Sequence, residues 1–431
     1  MYSKTTKRII VVFVLFLLLS ITPSTPSQIR YNVIDLGTLD GYQIAQPYSI
    51  NNKGQIVGRV MNINAQIDYR AVLFDSNGLG LNKDLGTLGG QDSAALSINN
   101  TGQIVGVAAD AADRYHATIF DADNPQNNIK LVPDMAVYSN NDLNEIVGWI
   151  CYDATPYFER AALISPNQPD SFIDLGTLPG YITSQAAAIN NIGTIVGLVR
   201  YNSQDVEYLY DTRAVLFNRE DPNRNRDLGS IDGYDYAAAL SINDNGQIVG
   251  RANNHMSLPF DYAPRAVLFN TNEPDKNLDL GTLPGYDAAE AFSINNRGQI
   301  VGRANQSSSG YAATLFDPSG QGNNINLEDL IDPVLGWDLD AALCINDYGW
   351  IVGWGGHPDS SGAFLLIPIP AGPADFDQNG KVDFYDFAIF AAAWDAAFGD
   401  ESYNPACDLE PDGQINYYDL EFFVDGWSPD L

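Results

Sequence analysis

Histidine, cysteine and positive charge are all scarce in this chain. Three His and three Cys among 431 residues leave no material for a His-rich metal centre or a dense disulfide framework. Lysine and arginine total 22 against 54 aspartates and glutamates, a net charge of −32. Binding a phosphate backbone needs clustered positive charge, so no nucleic-acid partner is expected, and no long basic patch is present for anionic lipid. The acidity is not that of a disordered chain, because 45% hydrophobic and 11% aromatic residues can bury a large core. Two or three domains suit the length. Cys151, Cys344 and Cys407 form an odd set. Cys344, inside the strand-like AALCIN, reads as a small buried apolar thiol, and no disulfide or nucleophile is expected.

Lys4, Lys7 and Arg8 precede an unbroken apolar run from Ile9 to Leu19 and then a Pro/Ser/Thr segment. This order predicts a bacterial-type secretory signal peptide over residues 1–27, cleaved after Ser27. The run is shorter than the roughly 20 apolar residues a spanning helix needs, so no membrane span is expected after cleavage. The mature chain is then secreted or cell-surface associated, and more acidic still.

Self-similarity dominates residues 28–368. GQIVG or a variant begins at Gly54, Gly102, Asn144, Gly193, Gly246, Gly298 and Gly349, at steps of 48, 42, 49, 53, 52 and 51 residues. RAVLF or a relative follows each, ending at Phe74, Phe120, Ile164, Phe217, Phe269, Phe316 and Leu366. DLGTL stands between units at Asp35, Asp84, Asp174 and Asp279, with DLGSI at Asp227. SINN or a variant precedes GQIVG. Four short apolar runs per unit, divided by Gly, Asn, Asp or Pro, predict four strands per unit. Four strands repeated every 40–50 residues, roughly, is the arithmetic of a propeller blade, and a solenoid would use shorter units. The chain is therefore mainly β, with a seven-bladed β-propeller. The first strand, YNVIDLG, has no unit of its own, and the last unit lacks a DLG strand. Tyr31–Gly37 is expected to close blade seven as its outer strand.

These strings resemble the extracellular HAF repeat family, whose pattern runs DLGTLGG, A-IN-GQ-VG and HAFLW. The likeness covers residues 31–368. It departs where HAF stands, since this chain mostly writes RAV and has only His116 there. Unit three also lacks DLGTL and reads IKLVPDMAVYSNN. The resemblance implies an exported repeat protein with no defined ligand and no catalytic residue.

No G-x-S-x-G elbow, H-E-x-x-H or phosphate-binding Gly loop occurs, and the three His stand in different units. The recurrent Asp of DLG and Asn of SINN suit turn chemistry. Tyr42, Tyr181, Tyr234 and Tyr286 follow Gly in DGY or PGY. They would share a face with the loops after GQIVG, which vary in length, and could there bind a carbohydrate or another ligand. Packing on the neighbouring blade is the other reading of the same Tyr residues.

After a Pro/Gly linker over residues 369–374 the text changes. DFDQNGKVDFYD (Asp375 to Asp386) and, thirty-three residues later, DLEPDGQINYYD (Asp408 to Asp419) both follow the twelve-residue calcium-loop pattern. Asp375, Asp377 and Asn379 hold positions 1, 3 and 5 of the first loop, and Asp408, Glu410 and Asp412 those of the second. Lys381 and Gln414 offer carbonyls at position 7. Asp383 and Asn416 stand at position 9, and Asp386 and Asp419 close the loops. Each loop runs into an amphipathic stretch: Phe387, Phe390, Ala391 and Trp394, matched by Leu420, Phe423, Val424 and Trp427. Two Ca2+ ions are expected, lending folding energy to a small α-helical, EF-hand-like domain over residues 375–431.

This duplicated tail resembles a type I dockerin, including Asp at position 12. The resemblance implies docking onto a cohesin-like or other extracellular protein, in assemblies associated with polysaccharide breakdown. Where dockerins commonly place small hydroxyl residues, at positions 10 and 11, this chain has Phe384–Tyr385 and Tyr417–Tyr418. A calcium-binding, non-catalytic binding and docking protein is the expectation. Its rival is a secreted polysaccharide-active enzyme of glycoside hydrolase type, carried by the same tail.

Overall fold

The computed structural model of the chain describes residues 30–427 except 64–67, 134, 153–157, 166–170, 203–209, 255–262, 307–309, 358–361, 370–371, 378–379, 398–399, 401 and 411–412. The predicted signal segment, His255 and parts of the variable loops after GQIVG lie outside the described residues. One compact unit spans Val33–Ile367, and a second holds the chain from Pro368 onward together with the chain up to Asn32.

The first unit is a seven-bladed propeller. Each blade is a four-stranded antiparallel sheet, and in blades one to six the strands follow chain order from the axis outward. Blade one runs Ile44–Ile50, Ile56–Asn62, Asp68–Phe74 and Lys83–Asp84. Blade seven is composite. Asp338–Ile345, Ile351–Gly356 and Ala363–Pro368 come from the end of the ring, and Tyr31–Asp35 from its beginning supplies the outer strand. The expected closure is therefore present, and the blade edge left open by the last repeat is paired. Blade two keeps an outer strand, Ile129–Pro133, although the sequence there has lost DLGTL.

Apolar alternation places the cores between blades. Val57, Ala71 and Leu85 of blade one pack with Ala95, Ile98, Ile104 and Phe120 of blade two. At the seam, Leu36 packs with Ile56 and Val72 of blade one and Val352 and Leu365 of blade seven. The Gly inside IVG recurs for a steric reason. A Cβ on Gly58 would sit 2.1 Å from the Gln46 carbonyl oxygen, and one on Gly302 would sit 1.9 Å from that of Glu290. At this point the innermost strand carries a bulge, with the register shifting across Tyr48 in blade one and Phe292 in blade six. The turn before it needs a left-handed residue, supplied by Gly54 (φ 73°) and in blade three by Asn144 (φ 61°).

The second unit contains helix α1 (Phe384–Ala393) and helix α2 (Tyr417–Asp425). Phe390, Leu420, Phe423 and Trp427 form its core with Val382, Ile415 and Cys407. Phe376 stacks on Phe423 at 5.8 Å and Phe390 on Phe423 at 5.2 Å. Ala391, expected on the buried stripe, is exposed, and Ala393 is buried in its place. The helix stops at that turn, with Trp394 as C-cap, so the final apolar positions do not follow an extended helical register. Among the described residues no helix is long and apolar enough to cross a membrane.

Candidate functional site

Two places in the molecule gather polar chemistry: the loops of the second unit and the axis of the ring. In the first loop one carboxylate oxygen from each of Asp375, Asp377 and Asp386 lies within 4.8 Å of the others, and all three residues are buried. The loop holds them through its own backbone. Gly380 N–H donates to Asp375 Oδ2 at 2.9 Å, Asp377 N–H to Asp386 Oδ1 at 3.1 Å, and Asp383 N–H to Asp386 Oδ2 at 2.9 Å. Burial pushes the Asp386 carboxyl up to about 6, and the charges of Asp377 and Asp375 add to this against the two backbone donors.

The second loop repeats the bonds. Gly413 N–H donates to Asp408 Oδ2 at 3.0 Å, Glu410 N–H to Asp419 Oδ1 at 2.9 Å, and Asn416 N–H to Asp419 Oδ2 at 2.8 Å. It differs in burial and in one contact: Glu410 is exposed and Asp408 half-buried where Asp377 and Asp375 are buried, and the Tyr403 hydroxyl donates to Asp408. Asp383 and Asn416 also serve the helices, accepting from Tyr385 N–H at 2.8 Å and Tyr418 N–H at 2.9 Å as N-caps. Asn379 and Asp412 lie outside the described residues. Lys381 is half-buried and Gln414 exposed. Three like charges in a buried loop need a counter-charge, and hard oxygens at this spacing suit a divalent cation such as calcium over a softer metal.

At the axis the SINN segments form two closed circles of hydrogen bonds. The first Asn of each pair donates its side-chain N–H to a backbone carbonyl of the next blade. Asn51 donates to Asn99 at 2.9 Å, Asn99 to Asn141 at 2.7 Å, Asn141 to Asn190 at 3.1 Å and Asn190 to Asn243 at 2.9 Å. Asn243 donates to Asn295 at 2.8 Å, Asn295 to Asn346 at 2.9 Å, and Asn346 returns to Asn51 at 3.1 Å. The following residue makes a second circle, each backbone N–H meeting the side-chain oxygen of the next blade, from Asn52 to Asn100 and finally from Asp347 back to Asn52. These rings surround a cavity of about 160 Å³. Spacing identified the Asn as turn formers. It did not identify them as the belt that ties blade to blade.

The DLG aspartates do turn chemistry as expected: Asp84 Oδ1 accepts from Gly86 N–H at 2.7 Å, and Asp279 Oδ1 from Gly281 N–H at 2.8 Å. Tyr42, Tyr181, Tyr234 and Tyr286 are each half-buried and pack against interblade clusters. Each closes a tight turn with its N–H, Tyr234 to Ile231 and Tyr286 to Leu283, both at 3.0 Å. His116 is buried against Asp110 at 2.9 Å, and His357 lies 5.1 Å from the Trp337 ring. Cys344 is half-buried at the seam, and burial pushes its thiol up.

A family described as proteins of unknown function, DUF3466, matches residues 176–332, which cover blades four to six. No curated protein matches the sequence. The β-propeller domain of the Trilobed protease from Pyrococcus furiosus is similar in structure at 10% identity and a TM-score of 0.48, over 75% of this chain and 93% of that one. A protein of unknown function from Dyadobacter fermentans is similar at 10% identity and 0.40, over 78% and 97%. The α-L-arabinanase of Penicillium chrysogenum is similar at 9% identity and 0.38, over 80% and 99%. These likenesses concern the fold alone.

Proposed function

We propose that this chain is an exported, calcium-binding docking protein. In this reading the ring, built of HAF-type repeats, is a non-catalytic binding module. The dockerin-like tail, folded around two calcium ions, attaches it to an extracellular or cell-surface protein, cohesin-like or of another kind. The observation that carries the reading is the convergence of Asp375, Asp377 and Asp386, three buried carboxylates that repel one another until a cation joins them. The docking half is supported by exposed aromatic pairs at the start of both helices, Phe384–Tyr385 and Tyr417–Tyr418, since large exposed rings favour a protein partner.

Calorimetry of the full chain with calcium tests the reading. Two binding events are expected, of which Asp386→Ala removes one and Asp419→Ala the other, the first loop binding at least as tightly as the second. Chelator should lower the helical signal, and calcium should restore it where magnesium does not, because magnesium demands a tighter octahedral shell. A chain that takes up no calcium at millimolar concentration overturns the proposal. Turnover of a polysaccharide by the purified protein would replace the non-catalytic half with the enzyme reading.

A further inference from the structure

We infer that the two calcium loops load in order, and that the turn after α1, residues 395–397, is the positioning element through which an occupied first loop raises the affinity of the second. The inference rests on the reading of the tail as a calcium-binding docking module and names how that module is regulated.

The loops share a pattern but not a degree of readiness. In the first, Asp375, Asp377 and Asp386 are buried and already converge. In the second, Asp408 is half-buried and Glu410 exposed, and among the described residues its acids do not gather in this way. A site whose ligands are in place beforehand binds more tightly, because less ordering remains to be done on binding. The first loop should therefore fill first.

Helix α1 begins in the first loop and ends on the second. Its start is capped by Asp383 and Asp386, positions 9 and 12 of the first loop, which form a capping box. Ten helical residues later the chain turns, and there the backbone clamps the second loop. Asp395 N–H donates to the Ile415 carbonyl at 2.8 Å, and Ile415 N–H donates to the Ala396 carbonyl at 2.8 Å. Gln414 pairs with Ala397 in an isolated antiparallel bridge. Ile415 is position 8 of the second loop, fully buried between Gln414 and Asn416, the residues at positions 7 and 9. The backbone that presents those two expected ligands is thus held from the far end of α1.

Side chains run the same way. Phe376, between Asp375 and Asp377 of the first loop, stacks on Phe390 of α1 at 6.1 Å and on Phe423 of α2 at 5.8 Å. Ordering the first loop thereby orders α1, the clamp and the core on which α2 rests. Asn416 is at once a position-9 residue and the N-cap of α2, so the second loop fixes the helix that carries Tyr417 and Tyr418. That part of the docking surface is then the last to form as calcium rises. The clamp depends on one unusual residue. Asp395 has a φ of 66°, a left-handed conformation that Asn also adopts and a β-branched residue resists.

The test is calorimetric titration of the full chain with calcium, for the wild type, Asp395→Asn and Asp395→Val. Neither variant alters a residue of either loop. Asp395→Asn should behave as the wild type. Asp395→Val should keep the tighter binding event within about twofold and weaken the other about fivefold or more. Circular dichroism at saturating calcium should show the wild-type helical signal for both, which separates a misplaced loop from a lost fold. Asp386→Ala, which disables the first loop, should also weaken the remaining event about fivefold or more, whereas Asp419→Ala should leave the tighter event near its wild-type value. Combining Asp386→Ala with Asp395→Val should add little to either alone, since both interrupt one route. An unchanged second event in Asp395→Val, equal weakening of both events, or additive losses in the double variant overturns the inference and leaves the docking reading standing. A wild-type chain that takes up no calcium overturns the docking reading itself.

Discussion

The amide belt at the axis makes a quantitative claim about cooperativity. Asn243 is buried, and its side-chain N–H groups donate to the Asn295 carbonyl and the Gln247 side chain, both at 2.8 Å, while its oxygen accepts from Gln247 N–H at 2.9 Å. Asn243→Ala removes one blade-to-blade bond and leaves the half-buried Gln247 N–H without its acceptor, while the Asn295 carbonyl keeps the Gly298 N–H at 3.0 Å. The orphaned group costs about 1–3 kcal/mol and the lost bond about 1 kcal/mol, so a loss of about 2–3 kcal/mol is expected. Asn346→Ala does the same at the seam, where the circle returns to Asn51 at 3.1 Å and the side-chain oxygen accepts from Tyr348 and Trp350. If the ring unfolds as one body, the seam variant should lose the same amount, within about 0.5 kcal/mol. Asn272→Ala, on an exposed loop, serves as the control and should change little. Urea denaturation followed by far-ultraviolet circular dichroism reads all three. Losses below about 1 kcal/mol at both belt positions would refute the belt as a source of stability. An early separate transition in Asn346→Ala alone would refute the ring as a single cooperative body.

Deleting residues 28–38 should expose the edge of blade seven and remove two buried side chains, Tyr31 and Leu36, worth about 1.5–3 kcal/mol each. Light scattering should then show aggregation and the melting temperature should fall, whereas an unchanged melting curve would contradict the closure. Glu290 predicts an acid dependence. Burial alone would raise its carboxyl, but Arg251 and Arg303 outweigh this and hold it below the usual range. Its contribution is therefore present above the unfolded value near 4.5 and is lost as pH falls through the folded one. Glu290→Gln should cost about 3–5 kcal/mol at neutral pH by leaving two arginines without their carboxylate, and the cost should shrink toward pH 3. Parallel melting-temperature curves for the two proteins between pH 3 and 6 would contradict it.

What could be read in the sequence followed the range of the interactions involved. The calcium-loop pattern is local, and Asp375, Asp377 and Asp386, which it names, lie close together in the structure. The blades were legible because every interface asks the same of every unit: an Ile-Val pair to bury, a Gly where the strands approach, a turn residue that accepts positive φ. The outer strand Ile129–Pro133 shows that a motif can be lost while apolar alternation still builds the strand. Three features were not visible. The bulge at Tyr48 and its counterparts exists only against the pairing of the second strand, so a linear reading passes over it. The second function of the SINN asparagines requires the next blade to exist, because their partners are 42 to 53 residues away in chain order, and 295 at the closing bond. The outer-loop asparagines escape notice for the same reason: Asn277 Nδ2 reaches back to the Leu228 carbonyl at 2.7 Å.

The positions that vary from blade to blade follow another rule, and the reason bears on where function can reside in a repeat ring. Stability here is spread over seven equivalent interfaces and closed circles of bonds, so a position that recurs in every unit is held by the fold. The bulge positions carry little of that load. Leu96, Ala187 and Leu240 can stand where Tyr48 stands without disturbing the ladder, because the bulge has already released that residue from pairing. A single blade can therefore exchange an apolar wall for an aromatic ring at little cost to the ring. Aligning the seven units on GQIVG would expose such columns, by seeking the few where one blade departs in charge or aromaticity from the rest.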